Sequence, residues 1–189
     1  MSVERFLPHS GDMVLLDRVV SYDSSGICAE LLVREDNAFL NDSGEFELYQ
    51  SIELMAQSVG VLRGLANEKE ATKLGFLLSV RGLKMRKNAV KIGTLLRVCA
   101  KISMRDENGF GLYECEVWEV LCGENGEKFT PCEKNLGENG GVNLNENSRE
   151  NSAKFEFDKN LGELLVSANI SLLNPSDEML DKFAKISEK

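Results

Sequence analysis

Few side chains in this sequence could move a proton beside an apolar surface, and two groups of them stand out by position. Glu53, Gln57, Gly60 and Gly64 are spaced four, three and four residues apart. At about 100° per residue this puts them in one stripe of a helix. A carboxylate and an amide there could hold and pass a proton, and the two glycines would let a thin ligand or another backbone come close. The same stripe admits a plainer reading, in which Glu53 and Gln57 are solvated and the glycines serve packing against a sheet. His9 is the only histidine, set in Leu7-Pro8-His9-Ser10-Gly11 just ahead of the apolar run Met13-Val14-Leu15-Leu16. Imidazole is suited to proton transfer near neutral pH, and equally to a hydrogen bond that fixes a turn.

These groups need a helix and a sheet to bring them together, and the periodicity supplies both. Leu48, Ile52, Met55, Val59, Leu62 and Ala66 follow the amphipathic spacing of one long helix. Strand-like runs precede it at Met13 to Leu16, Val19 to Tyr22 and Ile27 to Val33, with a Ser24-Ser25-Gly26 turn between the last two. After it come Leu74 to Val80, Thr94 to Met104 and Phe110 to Cys122, and finally Leu164 to Leu172. In the second of these, Leu96, Val98, Ala100, Ile102 and Met104 alternate with Arg97, Cys99, Lys101 and Ser103, the mark of a sheet with one buried face. One long helix cannot cover both faces of a doubly wound sheet. The pattern therefore predicts an α+β fold, an antiparallel sheet wrapped around that helix.

The segment 123–160 is rich in Asn, Glu and Gly and poor in aliphatic residues. It cannot bury enough surface to offset its ordering entropy, so it is predicted to be a disordered insertion in a single domain spanning 1–189. Past Pro175, Met179, Leu180, Phe183 and Ile186 line one face of a predicted short helix over 176–187, with Ser176 as its N-cap.

The formal charge is -9, from 22 Lys and Arg against 31 Asp and Glu, which opposes general attraction to nucleic acid or anionic lipid. Five cysteines with no C-x-x-C spacing, and one histidine, give no zinc ribbon or other metal site and no disulfide framework. Cys99 and Cys115 read as packing residues on strands, since neither has a sequence neighbour to activate a thiol. No secretory leader or membrane-length apolar run is visible, so a reducing cytoplasm is the expected location.

Three motifs in order resemble a known family. Leu7-Pro8-His9, Met13 and Leu15-Leu16-Asp17-Arg18-Val19 are similar to the opening segment of FabZ-type 3-hydroxyacyl-acyl-carrier-protein dehydratases. Glu53-Leu54-Met55-Ala56-Gln57 resembles their central helix, and Val90-Lys91-Ile92-Gly93 to Leu96 resembles a later strand. The detail is closest to the dehydratase-like proteins of arylpolyene biosynthesis, which share Glu-Leu-Met-Ala-Gln and a segment like Gly75 to Arg81. The resemblance implies a hotdog fold, a dimer with active sites between protomers, and loss of water from a (3R)-hydroxyacyl thioester to give a trans-2-enoyl thioester. The substrate would ride on a phosphopantetheine arm, with no other cofactor.

On this resemblance Glu53 matches the catalytic carboxylate, and His9 is the candidate base. Gln57 and Gly60 become substrate-binding residues. The family's own catalytic histidine, fourteen residues before the carboxylate, is replaced by Phe39, and its helix-entry Pro-Gly by Glu47-Leu48. Three readings stay open: a dehydratase acting through Glu53 and His9, an incomplete hotdog subunit completed by a FabZ-type partner, and an acyl thioesterase. From Ala71 to Arg105 there are nine basic residues and no acidic one. Arg81, Lys84, Arg86 and Lys87 are expected to share a rim between two strands. They read either as a solvated edge or as a dock for an acidic acyl carrier protein.

Overall fold

The structure, a computed structural model, describes residues 3–66, 73, 75–120, 162–175 and 180. The aliphatic runs become strands. β1 (Arg18–Asp23) and β2 (Gly26–Leu32) form the first hairpin. Its turn is held by Asp23, whose Oδ1 accepts hydrogen bonds from the N–H groups of Ser25 and Gly26. A short β3 (Glu45–Glu47) and a 3-10 turn at Leu48–Gln50 lead into α1 (Ser51–Ala66). Beyond the helix lie β4 (Phe76–Met85), β5 (Ala89–Lys91), β6 (Leu95–Arg105), β7 (Phe110–Val120) and β8 (Gly162–Leu173).

Six strands make one sheet in the order β1-β2-β6-β7-β8-β4, each neighbouring pair antiparallel. The remaining two, β3 and β5, form a separate antiparallel ribbon. The core lies between α1 and one face of the large sheet, where Leu54, Met55, Val59 and Leu62 of the helix join Leu96, Val98, Val117 and Ile170. Full burial of each such side chain contributes roughly 1.5–3 kcal/mol, which fixes the helix over the sheet. This is the predicted α+β arrangement.

Three features depart from the sequence reading. The alternation in β6 breaks at a register shift between Ile102 and Met104, so Met104 turns to the outer face and is 46% exposed. A bulge places one extra residue in the strand and reverses the facing of the residues beyond it. Met13 to Leu16, read as a strand, instead begins in a 3-10 turn (Gly11–Met13). Cys99 is not a lone packing residue, and the expectation of no disulfide is corrected by its bond to Cys28. The two sit directly opposite on β2 and β6, with Cα atoms 4.1 Å apart, and are joined by a disulfide. Their 71-residue separation gives no spacing motif, so only the β2–β6 register reveals the pair. The expected insertion 123–160 and the expected helix 176–187, apart from Leu180, lie outside the described residues.

On the outer face, Glu30 is buried at 1% exposure between two guanidinium groups from neighbouring strands. Its Oε2 accepts from Arg18 Nε at 2.7 Å, and its Oε1 accepts from Arg97 Nε at 2.9 Å. The triad ties β1, β2 and β6 in one register. Removing the carboxylate would leave Arg97 buried without its counter-charge. Glu30→Ala is therefore expected to lower stability by about 3–5 kcal/mol in urea denaturation, far more than an exposed Glu107→Ala control.

Candidate active site

The site is built where the N-terminal segment crosses α1. The segment can lie so close because α1 presents glycine there. A Cβ at Gly64 would come within 2.9 Å of Phe6 Cδ1, and one at Gly60 within 3.1 Å of Leu7 Cδ2. The close approach allowed by these glycines is thus taken mainly by the protein's own Phe6 and Leu7, although Gly60 also lines the cavity described below.

Gln57 locks the crossing. It is 1% exposed, and its Oε1 accepts the Leu15 N–H at 3.0 Å. Its Nε2 donates to Met13 O at 2.8 Å and to Glu53 Oε1 at 2.9 Å. One donor and two acceptors surround the amide, so only one orientation satisfies it. The side chain sequence reasoning read as substrate-binding joins the backbone of the N-terminal segment to the carboxylate one helical turn away.

His9 is carried to the same carboxylate. Its Nε2 lies 3.4 Å from Glu53 Oε1 of the same chain, and the side chains are 33% and 36% exposed. That separation is long for a hydrogen bond and leaves room for a substrate oxygen to meet both groups. The other nitrogen, Nδ1, is buried with no hydrogen-bond partner among the described residues. A proton on Nδ1 would be an unsatisfied buried donor, so the proton of the neutral ring belongs on Nε2, facing Glu53.

Both side chains open on a cavity of about 120 Å³. Ala56, Val59, Leu77 and Leu172 give it apolar walls. Arg63, which sequence reasoning passed over, and Lys73, noted there only as one of the nine basic residues, also line it. Arg63 stands three residues past Gly60 on α1, a spacing that could have flagged it.

Phe39 and Leu48 are the positions that the sequence reading aligns with the resembled family's base and thioester-polarising amide. Phe39 is partly buried against the core, and the Leu48 N–H donates to Asn88 O at 2.8 Å. Cys115 is buried, and desolvation pushes its thiol far up, which leaves it inert as a nucleophile. Burial likewise raises Tyr113 above the usual phenol range. Among the described residues no cluster of side chains could hold a metal, and no helix is long and apolar enough to cross a membrane.

Of the four basic residues expected between two strands, Arg86 and Lys87 lie in the β4–β5 connection and the other two do not. Arg81 and Lys84 lie within β4, an edge strand, opposite Asn169 and Ser167 of β8. Arg86 comes just after it, anchored by its N–H to Leu165 O. Lys87 bridges Glu163 at 2.7 Å and Glu119 at 3.0 Å, which raise its pKa, and Lys84 shares a groove with Glu114 and Glu116.

The family profile described as ApeP-like, ApeP dehydratase, matches residues 1–130. The chain belongs to the ApeP-like dehydratase family. No curated protein matches its sequence. Among solved structures, this ApeP-like chain is similar to the dehydratase heterocomplex ApeI:P from Xenorhabdus doucetiae, with 25% identity, 97% of each chain covered and a TM-score of 0.69. It also superposes on zebrafish thioesterase superfamily member 2, with 11% identity, 91% and 92% of the two chains covered and a TM-score of 0.53. The second likeness concerns the fold alone, which is the hotdog.

Because Gln57 satisfies one buried and one partly buried backbone group, Gln57→Leu is expected to cost the ApeP-like chain about 2–4 kcal/mol in thermal or urea unfolding. Gly64→Ala, which drives a methyl into Phe6, is expected to cost about 1–3 kcal/mol. An unchanged midpoint for either variant would mean that the N-terminal segment is not seated on α1 as described.

Proposed function

We propose that the protein dehydrates (3R)-3-hydroxyacyl thioesters carried on a phosphopantetheine arm, giving trans-2-enoyl thioesters in polyene-type biosynthesis, and that Glu53 and His9 of one chain do the chemistry. The observation that carries this reading is the placement of the His9 Nε2 and Glu53 pair, braced by Gln57, at the cavity of a member of a dehydratase family.

The sequence reading casts Glu53 as acid and His9 as base. The arrangement of protons favours a different division. Glu53 carboxylate takes the C2 proton, the C3–O bond breaks, and the same carboxylic acid returns the proton to the departing oxygen as water leaves. His9 Nε2–H donates a hydrogen bond to that oxygen throughout. No proton is gained or lost, and Glu53 ends ionised.

A second reading has a specific observation behind it. With Phe39 and an occupied Leu48 amide where the family keeps catalytic groups, one hotdog subunit of this kind lacks parts that another could supply. The solved relative is a heterocomplex, and β4 is an edge strand with Phe76, Leu77, Leu78, Leu83 and Met85 exposed along it. Such an edge suits pairing with a second hotdog subunit. The acyl-thioesterase reading has only fold likeness in its favour.

Hydration of an enoyl thioester, tracked by loss of its ultraviolet absorbance, tests these readings. With the chain alone or mixed with a FabZ-type subunit, Glu53→Gln is expected to lower kcat/KM by about 10³-fold or more and His9→Gln by about 10²-fold. Full activity in Glu53→Gln would overturn the proposal. Activity of the wild-type chain only on mixing would select the second reading.

An acidic acyl carrier protein would dock on Arg81, Lys84 and Arg86, since Lys87 is already held by two carboxylates. Arg81→Glu with Arg86→Glu is expected to raise KM about tenfold for carrier-borne substrate while leaving KM for a free pantetheine thioester unchanged. Equal changes for both substrates would place the carrier elsewhere.

A further inference from the structure

The reaction proposed above uses only one end of the cavity. Beyond the Glu53 end the lining becomes apolar at Ala56, Val59 and Gly60, and then cationic at Arg63 and Lys73. Arg63 is only 8% exposed, so its guanidinium sits at the cavity wall largely shielded from bulk solvent.

Ten residues of α1 separate Arg63 from Glu53, which at 1.5 Å per residue sets the two about 15 Å apart along the helix. We propose that Arg63 and Lys73 form an anion subsite of the substrate cavity, holding a negatively charged group of the thioester about 15 Å along α1 from the carbon that reacts at Glu53.

The inference rests on the thioester reading of the site. Two parts of such a substrate could carry the charge: the phosphate of the pantetheine arm, or a carboxylate at the far end of the acyl chain. The shared chemistry is an oxyanion met by a planar guanidinium and an ammonium. Arg has five donors in a fixed fork, so it can keep protein acceptors and still take a ligand oxygen pair, while Lys73 adds a point charge. Arg63 stands in the last turn of α1, where its charge also offsets the helix C-terminus.

The test is equilibrium binding, by calorimetry on the full-length chain, of three saturated thioesters that cannot react: decanoyl-pantetheine, its phosphorylated counterpart, and the pantetheine half-thioester of decanedioic acid. One of the two charged ligands is expected to bind about tenfold or more tightly than the neutral one, in line with a charge-assisted hydrogen bond in a poorly solvated site. The better one identifies the source of the charge. Arg63→Met and Lys73→Met are each expected to erase most of that advantage while leaving decanoyl-pantetheine binding within about twofold. Lys73→Met covers the case in which Arg63→Met fails to fold, and melting curves check both. Equal binding of the three ligands, or an advantage kept in both variants, would overturn the subsite and leave the dehydratase reading standing. Binding of none of them would overturn the thioester reading itself, and the subsite with it.

Discussion

A single buried amide holds the candidate site together. Gln57 receives the Leu15 N–H, gives one hydrogen to Met13 O and gives the other to Glu53. The N-terminal segment is seated on the core by Val3, Phe6, Leu7, Leu15 and Leu16 as well. Its turns are short, and its apolar anchors Phe6 and Leu7 fit only because α1 shows glycine at positions 64 and 60. Placing an amide there lets one side chain satisfy two backbone groups, one buried and one partly buried, that would otherwise go unpaired, which is worth more than the same amide in water. The carboxylate gains an orientation from the same contact, and His9 arrives as part of the segment being held. Stability and site geometry are therefore coupled: a change that loosens the crossing also moves the imidazole away from Glu53.

The charges are arranged by the same kind of long-range pairing. Along the sequence, Ala71 to Arg105 is entirely positive. In space part of that charge is already answered. Arg97 lies on Glu30, and Lys87 on Glu163 and Glu119. The carboxylates come from β2, β7 and β8, strands distant in sequence and adjacent in the sheet. In the proposed reading, a carrier protein would meet a smaller surface on the β4 edge than the run of lysines and arginines suggests. The same edge carries exposed aliphatic and aromatic side chains, which the proposed subunit pairing would use instead.

Most of the architecture was legible because it depends on periodicity within one segment. The helix is written in the spacing from Leu48 to Ala66, and β6 and β8 in alternation over most of their length. The membership of Glu53, Gln57 and Gly60 in one stripe was legible for the same reason. What was hidden depends on register between distant segments. The Ile102 to Met104 bulge reverses a face without leaving a mark in composition. The Cys28–Cys99 bond needs the β2–β6 pairing before it exists as a pair. The buried Glu30 needs arginines from two other strands, and the partners of Gln57 are backbone atoms, which no residue type announces. His9 stands out for its chemistry, yet its reach to Glu53 of its own chain, rather than of another protomer, comes only from the fold.

The central claim is that Glu53 and His9 of one chain act as a unit on the same substrate oxygen. A double-mutant cycle on kcat/KM for enoyl thioester hydration, with Glu53→Gln, His9→Gln and the double variant, tests this most directly. The expected result is strong non-additivity, with the double variant no more than about threefold slower than Glu53→Gln alone. Losses that multiply, so that the double variant falls by the product of the two single effects, would contradict a shared site and leave His9 as a residue that only holds the turn.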